Sequence, residues 1–187
     1  MKPKQRCPWP KTELMIEYHD EEWGVPLHDD QKLFEFLILE GAQAGLSWET
    51  VLNKRENYRE AFHNFDPRKI AKYTEKDVKR LLKNKGIIRN QLKIRSTILN
   101  AKKFLEVQKE FGSFDKYIWQ FTKNKVIKNK IRIMSDYKAT TQEPDAMSKD
   151  LKKRGFKFVG STICYAHMQA TGMVNDHTVD CFRYKEV

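Results

Sequence analysis

The longest apolar stretch of the chain covers almost the whole circumference of a helix. Apolar residues stand at positions 33, 34, 36, 37, 38 and 39, and Glu40 and Gly41 follow directly. A one-faced surface helix would carry polar residues at several of these positions, so the pattern predicts a helix buried nearly all round. An acid at the end of such a helix, with Trp48 soon after it, predicts a small-molecule pocket with a perturbed carboxyl group. The simpler alternative is that Glu40 reaches solvent at the helix end.

Capping residues mark the starts of further helices. The predicted start signals are Asp29 or Asp30, Ser47, the pair Asp66-Pro67, the variant capping box Thr74 to Asp77, and Ser113. Gly86 is predicted to end the helix that follows Thr74. A second helix follows after a very short turn, with Ile94, Ile98, Ala101 and Leu105 on one face. Short helices are predicted at 145–154 and 161–171, each ended by a glycine.

The remaining pattern contains little strand signal. Residues 122–144 are polar, basic and irregular, which predicts a loop or linker. Only FKFV at 156–159 and the VIK and IRI patches have strand character, and the chain has no internal repeat. We therefore expect one all-α domain over residues 1–187, built as two helical lobes with a cleft between them.

Charge and cysteine content narrow the choice of partner and compartment. The chain of 187 residues has a formal net charge of +11, which favours a polyanionic partner such as nucleic acid over a merely soluble basic surface. No apolar run approaches a membrane span, and the start of the chain lacks the apolar core of a secretory signal. We expect a cytoplasmic protein without membrane contact. Three cysteines do not form a disulfide framework and are candidates for metal ligands, core residues or a nucleophile.

The basic bend within residues 78–99 is the candidate nucleic-acid contact. Its sequence KNKGIIRNQLKIR places positive charge around the start of a helix, where backbone N–H groups and the helix dipole favour a phosphate. The bend resembles a helix-hairpin-helix DNA-binding element, although Ile88 replaces its usual second glycine. The predicted phosphate-binding residues are Gly86, Ile87, Arg89 and Lys93, and Lys85 adds positive charge around them. The alternative is an ordinary helical hairpin with a solvated basic face.

Cysteine and histidine residues near both ends of the chain have the composition of a metal site. Cys7 and His19 lie near the start, and His177 and Cys181 lie near the end. Four such ligands form the usual closed structural zinc site. It would anchor an amino-terminal segment that little secondary structure stabilises. Cys164 and His167 are a competing pair, but they stand in an apolar helix, where a core cysteine and a hydrogen-bonded histidine are the simpler interpretation.

Four aromatic residues accompany the candidate acid. They are Trp9, Tyr18, Trp23 and Trp48. Core packing is the default role for each one, whereas several together beside Glu40 and a DNA-binding hairpin favour a pocket for a flipped base.

The sequence resembles the bacterial 3-methyladenine DNA glycosylases of type I over almost its whole length. The matching segments are YHDEEWGVP at 18–26, LEGAQAGLSWETVLNKRENYREAF at 39–62, GIIR at 86–89, SKDLKKRGFKFVGSTICYAHMQATG at 148–172 and VNDH at 174–177. One departure is Met15, which stands where relatives carry a tyrosine. Residues 122–144 match poorly, and no function is carried over to them.

The resemblance implies a helix-hairpin-helix glycosylase fold with the termini tied by zinc at Cys7, His19, His177 and Cys181. It implies a monomeric base-excision repair enzyme that flips 3-methyladenine out of alkylated double-stranded DNA and hydrolyses its N-glycosidic bond, leaving free 3-methyladenine as a product. Glu40 would be the residue of the catalytic centre, recognising the base between Tyr18 and Trp48, with Trp9 and Trp23 beside them. His167 would not be a ligand. The alternative function is a non-catalytic zinc-containing DNA-binding module.

Overall fold

The computed structural model describes residues 4–187, which form mostly helices. The α-helices are α1 (Glu13–Glu21), α2 (Asp30–Gln43), α3 (Trp48–Leu52), α4 (Arg55–Ala61), α5 (Pro67–Ile70), α6 (Glu75–Lys83), α7 (Gln91–Phe111), α8 (Phe114–Trp119), α9 (Gln142–Lys153) and α10 (Ser161–Ala170). Two short strands are β1 (Ile127–Lys128) and β2 (Val174–Asn175). Within these residues, no helix combines the length and apolarity that crossing a membrane requires.

Helix α2 is the buried centre of the fold, as its apolar pattern predicts. Every residue from Leu33 to Ala42 is buried, and α2 contacts α3, α7, α8 and α10. Asp29 caps this helix, since its carboxylate accepts the Lys32 amide N–H at 2.9 Å. Asp30 accepts two backbone N–H groups at the start of α8, each at 2.8 Å. The two acids therefore have different roles, and the second one ties α8 to α2.

The other predicted helix starts are confirmed by their hydrogen bonds. Ser47 accepts from Thr50 N at 3.2 Å, Asp66 from Arg68 N at 2.9 Å and Ser113 from Lys116 N at 3.0 Å, while Asp77 accepts from Thr74 N at 2.9 Å. The predicted end of α6 at Gly86 is wrong, because α6 stops at Lys83. Asn84 turns the chain into an extended conformation, and its side chain accepts the Gly86 N–H at 2.8 Å. The turn before α7 is consequently longer than predicted.

Residues 122–144 are less irregular than predicted. Strand β1 lies in the VIK patch and pairs in parallel with β2, and Ile131 of the IRI patch forms a bridge to Thr178. By contrast, FKFV forms no strand, since Phe158 has a positive φ of 56°. Each pairing depends on a partner about 47 residues further along the chain, which local pattern does not reveal.

The amino-terminal segment packs directly on the end of α10. The Gly24 and Leu27 amides donate to Gln169 O and Thr171 O, each at 3.0 Å. Gly172 follows α10 with φ of 69°, and a Cβ at this position would lie 2.3 Å from Pro26 N. Both the positive φ and this close backbone approach require glycine at position 172. The contact brings the aromatic residues near the start of the chain against α10.

Candidate functional site

A cavity of about 230 Å³ lies where α1, α2, α3 and α10 meet. It contains the candidate acid and all four aromatic residues singled out from the sequence. The lining residues are Trp9, Met15, Tyr18, Trp23, Glu40, Gln43, Trp48, Tyr137, Ala166 and Gln169. Sequence reasoning missed Gln43, Tyr137, Ala166 and Gln169. Tyr137 belongs to the segment that lacked any periodic signal, and only the folded chain places it here.

Glu40 lies at the cavity with only 3% of its surface exposed. Loss of solvation raises the pKa of Glu40 to about 8, and no neighbouring charge offsets this effect. The buried position excludes the alternative in which Glu40 reaches solvent at the helix end. At neutral pH the carboxyl group is mainly protonated, so one oxygen donates a hydrogen bond and the other accepts one.

Aromatic rings form the walls around this acid. The Tyr18 and Trp48 ring centroids lie 5.3 Å apart at an interplanar angle of 48°, and Trp9 meets Trp23 edge to face at 5.0 Å. Two polar atoms of the lining, Trp48 Nε1 and the Tyr137 hydroxyl oxygen, are buried without a hydrogen-bond partner among residues 4–187. The cavity therefore presents ring faces beside the Glu40 carboxyl group, which suits a flat ligand with a polar edge.

A buried carboxylate holds another side chain of the lining in place. Asp176 is fully buried and accepts from Asn129 Nδ2 at 2.7 Å and from the Tyr165 hydroxyl at 2.6 Å. It also accepts from Gln169 Nε2 at 2.7 Å. Because a carboxylate only accepts, this contact fixes which end of the Gln169 amide faces Asp176.

The four candidate ligands from the two ends of the chain come together. Cys7, His19, His177 and Cys181 are all buried, and their ligand atoms lie within 4.8 Å of one another. Cys7 Sγ lies 3.5 Å from His177 Nδ1, and Cys181 Sγ lies 3.5 Å from His19 Nε2 and 3.6 Å from His177 Nδ1. Tetrahedral coordination of zinc places a sulfur and a nitrogen ligand about 3.6 Å apart, as follows from its usual bond lengths. The donor set therefore fits a metal ion.

Outer hydrogen bonds orient both histidine rings. His19 Nδ1 lies 2.8 Å from Asp20, whose carboxylate also accepts from Arg6 at 2.7 Å. His177 Nε2 lies 3.0 Å from the carbonyl oxygen of Trp23. Each ring thus uses one nitrogen as a donor and directs the other toward the sulfur atoms, which is the arrangement of metal-binding histidines.

The competing pair in α10 does not join this cluster. His167 is fully buried, and neither ring nitrogen has a partner among residues 4–187. Burial lowers the pKa of His167 to about 4, so the ring is neutral. The Cys164 thiol donates to the Val159 carbonyl at 3.5 Å. Both residues therefore belong to the core, as predicted, but the prediction that His167 is hydrogen-bonded there is wrong for residues 4–187.

The basic bend has the predicted location between α6 and α7, but several of its groups already have partners. The Gly86 N–H donates to Asn84, and Ile87 is a core residue with 2% of its surface exposed. Lys93 Nζ donates to the carbonyls of Ala42 at 2.8 Å and Ala44 at 2.7 Å.

The ammonium group of Lys93, a predicted phosphate contact, already has two acceptors within the protein. Carbonyls at the end of α2 lack intrahelical partners, and the ammonium group satisfies two acceptors there. Loss of solvation at this site lowers the pKa of Lys93. Lys85 and Arg89 remain exposed on the bend.

The fold and the cavity together define a class of helical protein with an aromatic-lined site for a flat ring that carries hydrogen-bonding groups. The Cys/His cluster adjoins this site, since Trp23 contacts His177 with ring centroids 4.6 Å apart. The sequence model of the family described as Methyladenine glycosylase matches residues 9–184, and the chain belongs to this family.

Relatives and solved structures agree with this assignment. The chain is 51% identical over 181 residues to DNA-3-methyladenine glycosylase 1 of Escherichia coli K12, covering 96% of this chain and 97% of the relative. A crystal structure of 3-methyladenine DNA glycosylase I superposes with a TM-score of 0.93 at 52% identity, covering 95% of this chain and 98% of that one. A tyrosine-to-phenylalanine variant of 3-methyladenine DNA glycosylase I in complex with 3-methyladenine superposes with a TM-score of 0.90 at 35% identity, covering 92% of each chain.

Proposed function

We propose that this protein is a monomeric DNA glycosylase of base-excision repair, which releases 3-methyladenine from alkylated double-stranded DNA. The observation that carries this proposal is the buried Glu40 in a cavity walled by aromatic rings. Relatives about half identical over nearly the whole chain are named for this activity. A base inside a duplex cannot reach such a cavity, so the target nucleotide must be flipped out of the stack.

Recognition of the base rests on Glu40, Tyr18 and Trp48. Tyr18 and Trp48 offer ring faces for stacking, which is stronger for a base that carries positive charge. The acceptor oxygen of Glu40 takes a hydrogen bond from the exocyclic amino group of adenine, and its O–H donates to N7. A guanine presents a different edge, which leaves a buried polar group unpaired at a cost of about 1–3 kcal/mol. Trp9 and Trp23 complete the walls.

The chemistry follows from the charge on the substrate. Methylation at N3 makes the adenine cationic, so the glycosidic bond is already weakened and the base departs as a neutral molecule. Little general acid catalysis is needed, and Glu40 acts in the catalytic centre by holding the base. Water attacks C1′ as the sugar acquires cationic character. No lysine attacks the sugar, so the product is an abasic site in an uncut strand.

The metal in this proposal is zinc, held by Cys7, His19, His177 and Cys181. Four protein ligands fill a tetrahedral site and leave no open position, so the ion stabilises the fold and takes no part in hydrolysis. It joins the two ends of the chain. A non-catalytic zinc-containing DNA-binding module would also explain these ligands and the charge, but it would leave the buried acid and its aromatic walls without a role.

Contact with DNA is assigned to the helix-hairpin-helix element at about 78–99. Among residues 4–187, no backbone group accepts from the amide of the exposed Arg89, so this N–H group is free to bind a phosphate oxygen, whereas Ile87 is buried in the core. The exposed side chains of Lys85 and Arg89 add positive charge that attracts the phosphates there. Such contacts position the duplex and do not read its sequence.

The proposed function is tested by incubating the purified protein with a duplex that carries 3-methyladenine. We expect free 3-methyladenine in the supernatant and abasic sites in strands that remain uncut until they are treated with alkali. Chromatography of the released bases and a gel with and without alkali measure both products. Tight DNA binding without base release would favour the DNA-binding module instead.

Substitutions on the bend separate its surface cations from Lys93. Each phosphate contact contributes about 0.9 to the slope of log affinity against log salt concentration. We therefore expect Lys85→Met and Arg89→Met each to reduce this slope by about one, measured by fluorescence anisotropy of labelled duplex DNA. Lys93→Met is the matched control and leaves the slope unchanged, since its ammonium faces Ala42 and Ala44. An equal loss of slope in all three variants would refute this division of roles.

A further inference from the structure

The segment 122–144, to which no function was carried over, carries a strongly basic surface. The cations between positions 123 and 138 are Lys123, Lys125, Lys128, Lys130, Arg132 and Lys138. All of them are exposed, and none forms a salt bridge with a residue of 4–187. Asp136 is the single acid between these positions. A surface of this charge without internal partners favours a polyanionic partner.

Strand pairing sets the direction of three of these side chains. Positions 127 and 131 pair with positions 174 and 178 in the same parallel register, so the chain between them is extended. Successive side chains of an extended chain point to opposite sides. Ile131 is buried, whereas exposed cations occupy every second position, about 6.6 Å apart along the chain. This basic row consists of Lys128, Lys130 and Arg132.

An apolar tip, formed by Ile133 and Met134, follows the basic row directly. These side chains are 61% and 58% exposed, and they are two of the three most exposed large apolar residues among residues 4–187. A capped turn fixes their backbone, because the Asp136 carboxylate accepts the amide N–H groups of Arg132 at 2.8 Å and Ile133 at 3.0 Å. Single exposed apolar residues are common, but two adjacent ones on a fixed turn are preorganised for contact with a partner.

The apolar tip lies next to the wall of the cavity. Tyr137 lines the cavity, and its amide donates to Met134 O at 3.3 Å, which places the two residues one 3-10 turn apart, or about 6 Å along the turn. The Tyr137 ring packs inward on the cluster of buried residues that contains Cys7, whereas Met134 and Lys138 on either side of it are exposed. The apolar tip is therefore on the outer side of this wall.

A duplex that delivers a base into the cavity extends over the surface around it. The nucleotides of one strand follow one another every 3.4 Å along the helix axis, so two neighbours of the flipped nucleotide cover about 7 Å. This length is comparable with the distance from Tyr137 to the apolar tip. The tip and the basic row are thus within reach of the nucleotides beside the lesion.

We propose that the basic row and the apolar tip form a second DNA contact, beside the flipped nucleotide. This inference rests on the proposed function, since it takes the partner to be the duplex that delivers the base. Lys130 and Arg132 bind phosphates. Ile133 and Met134 lie against sugars and base edges in the minor groove, where proteins commonly place apolar side chains. The contact adds to that of the hairpin and comes from a segment outside the matched motifs.

Charge and position favour DNA over a protein as the occupant of this surface. A second copy of the chain has a net charge of +11, and repulsion between like charges opposes its approach. An acidic protein would match the charge, but it would not explain why the surface adjoins the cavity. A duplex explains both observations.

The basic row is tested with lesion-free duplex DNA, whose binding is followed by fluorescence anisotropy at several salt concentrations. We expect Lys130→Met and Arg132→Met each to lower the slope of log affinity against log salt concentration by about 0.9, and the double variant to lower it by about 1.8. Lys109→Met is the matched control, because this exposed lysine lies in the last turn of α7 and does not line the cavity. Its slope should equal that of wild type.

The apolar tip is tested in the same assay. We expect Met134→Ser to bind the duplex about 3- to 12-fold more weakly with an unchanged salt slope, since it loses the burial of about half of an apolar side chain. Met134→Leu keeps the apolar surface and should bind like wild type. None of the substituted residues lines the cavity, so calorimetry should find wild-type affinity for free 3-methyladenine in every variant.

The outcomes separate this inference from the proposed function. Base release by wild type, combined with wild-type salt slopes in Lys130→Met and Arg132→Met, refutes the second DNA contact alone. Unchanged DNA binding, with self-association of wild type that Met134→Ser abolishes, identifies a second copy as the occupant and also refutes it. Lowered slopes without any base release by wild type support the DNA contact and refute the glycosylase.

Discussion

Replacement of Glu40 by alanine is expected to remove most of the affinity for free 3-methyladenine and to abolish efficient excision from methylated DNA. The substitution leaves the polar edge of the bound base unpaired inside the protein, at about 1–3 kcal/mol. This corresponds to a loss of about 5- to 150-fold in affinity. Calorimetry with the free base and single-turnover release of the base from a duplex measure the two effects.

Glutamine at position 40 is the informative comparison. It supplies one donor and one acceptor, as protonated Glu40 does, but it does not titrate. The Glu40 pKa of about 8 means that the protonated form predominates below this pH and the carboxylate above it. Wild-type binding should therefore weaken as the pH rises through about 8, whereas Glu40→Gln should retain measurable binding that stays constant between pH 7 and 9.5.

Asp115 provides the control for this assignment. This second acid lies at the start of α8, where its side chain meets His28 at 2.7 Å outside the cavity. We expect Asp115→Asn to excise 3-methyladenine like wild type. If Asp115→Asn alone were inactive while Glu40→Ala kept its activity, the site would have been placed in the wrong part of the fold.

Loss of the metal is expected to have the largest effect on stability. Cys181→Ser removes a thiolate ligand, and the free energy of unfolding should fall by several kcal/mol, as is usual for losing a structural metal. Elemental analysis of freshly purified protein should find one zinc per wild-type chain and much less in the variant. Urea denaturation, followed by circular dichroism, gives the difference in stability.

Cys164→Ser is the matched control for the thiol itself. Cys164 is as buried as Cys181 but lies outside the cluster, and serine keeps a donor for the Val159 carbonyl. Its zinc content should equal that of wild type. Wild-type protein without zinc, or a Cys181→Ser variant as stable and as rich in zinc as Cys164→Ser, would rule out the structural metal.

Removal of the metal is expected to weaken base binding in the cavity. Trp9 contacts His19 with ring centroids 5.2 Å apart, and Trp23 contacts His177, while both tryptophans line the cavity. The amino-terminal segment that carries Trp9 would lose its anchor without the ion. A chelator that removes zinc should therefore weaken binding of the free base as well as destabilise the fold.

Local patterns in the sequence account for most of the helices. The apolar run before Glu40 predicts a helix buried on all sides because no face is left for solvent. The caps at Ser47, Asp66 and Ser113 act on neighbouring amides, so their signals lie within three residues. The short strands depend on pairing between distant segments, and a two-residue strand has no pattern of its own.

The sequence by itself determined the helical class, the candidate acid with its aromatic neighbours, the four Cys and His residues that come together, and the family to which the chain belongs. These are properties of residue identity and local spacing. Only the tertiary structure decided that Glu40 is buried without a counterion, that Lys93 faces the end of α2, and that Tyr137 reaches the cavity. Solvation, partner choice and side-chain direction depend on groups that are distant in sequence, so they are settled only when the chain has packed.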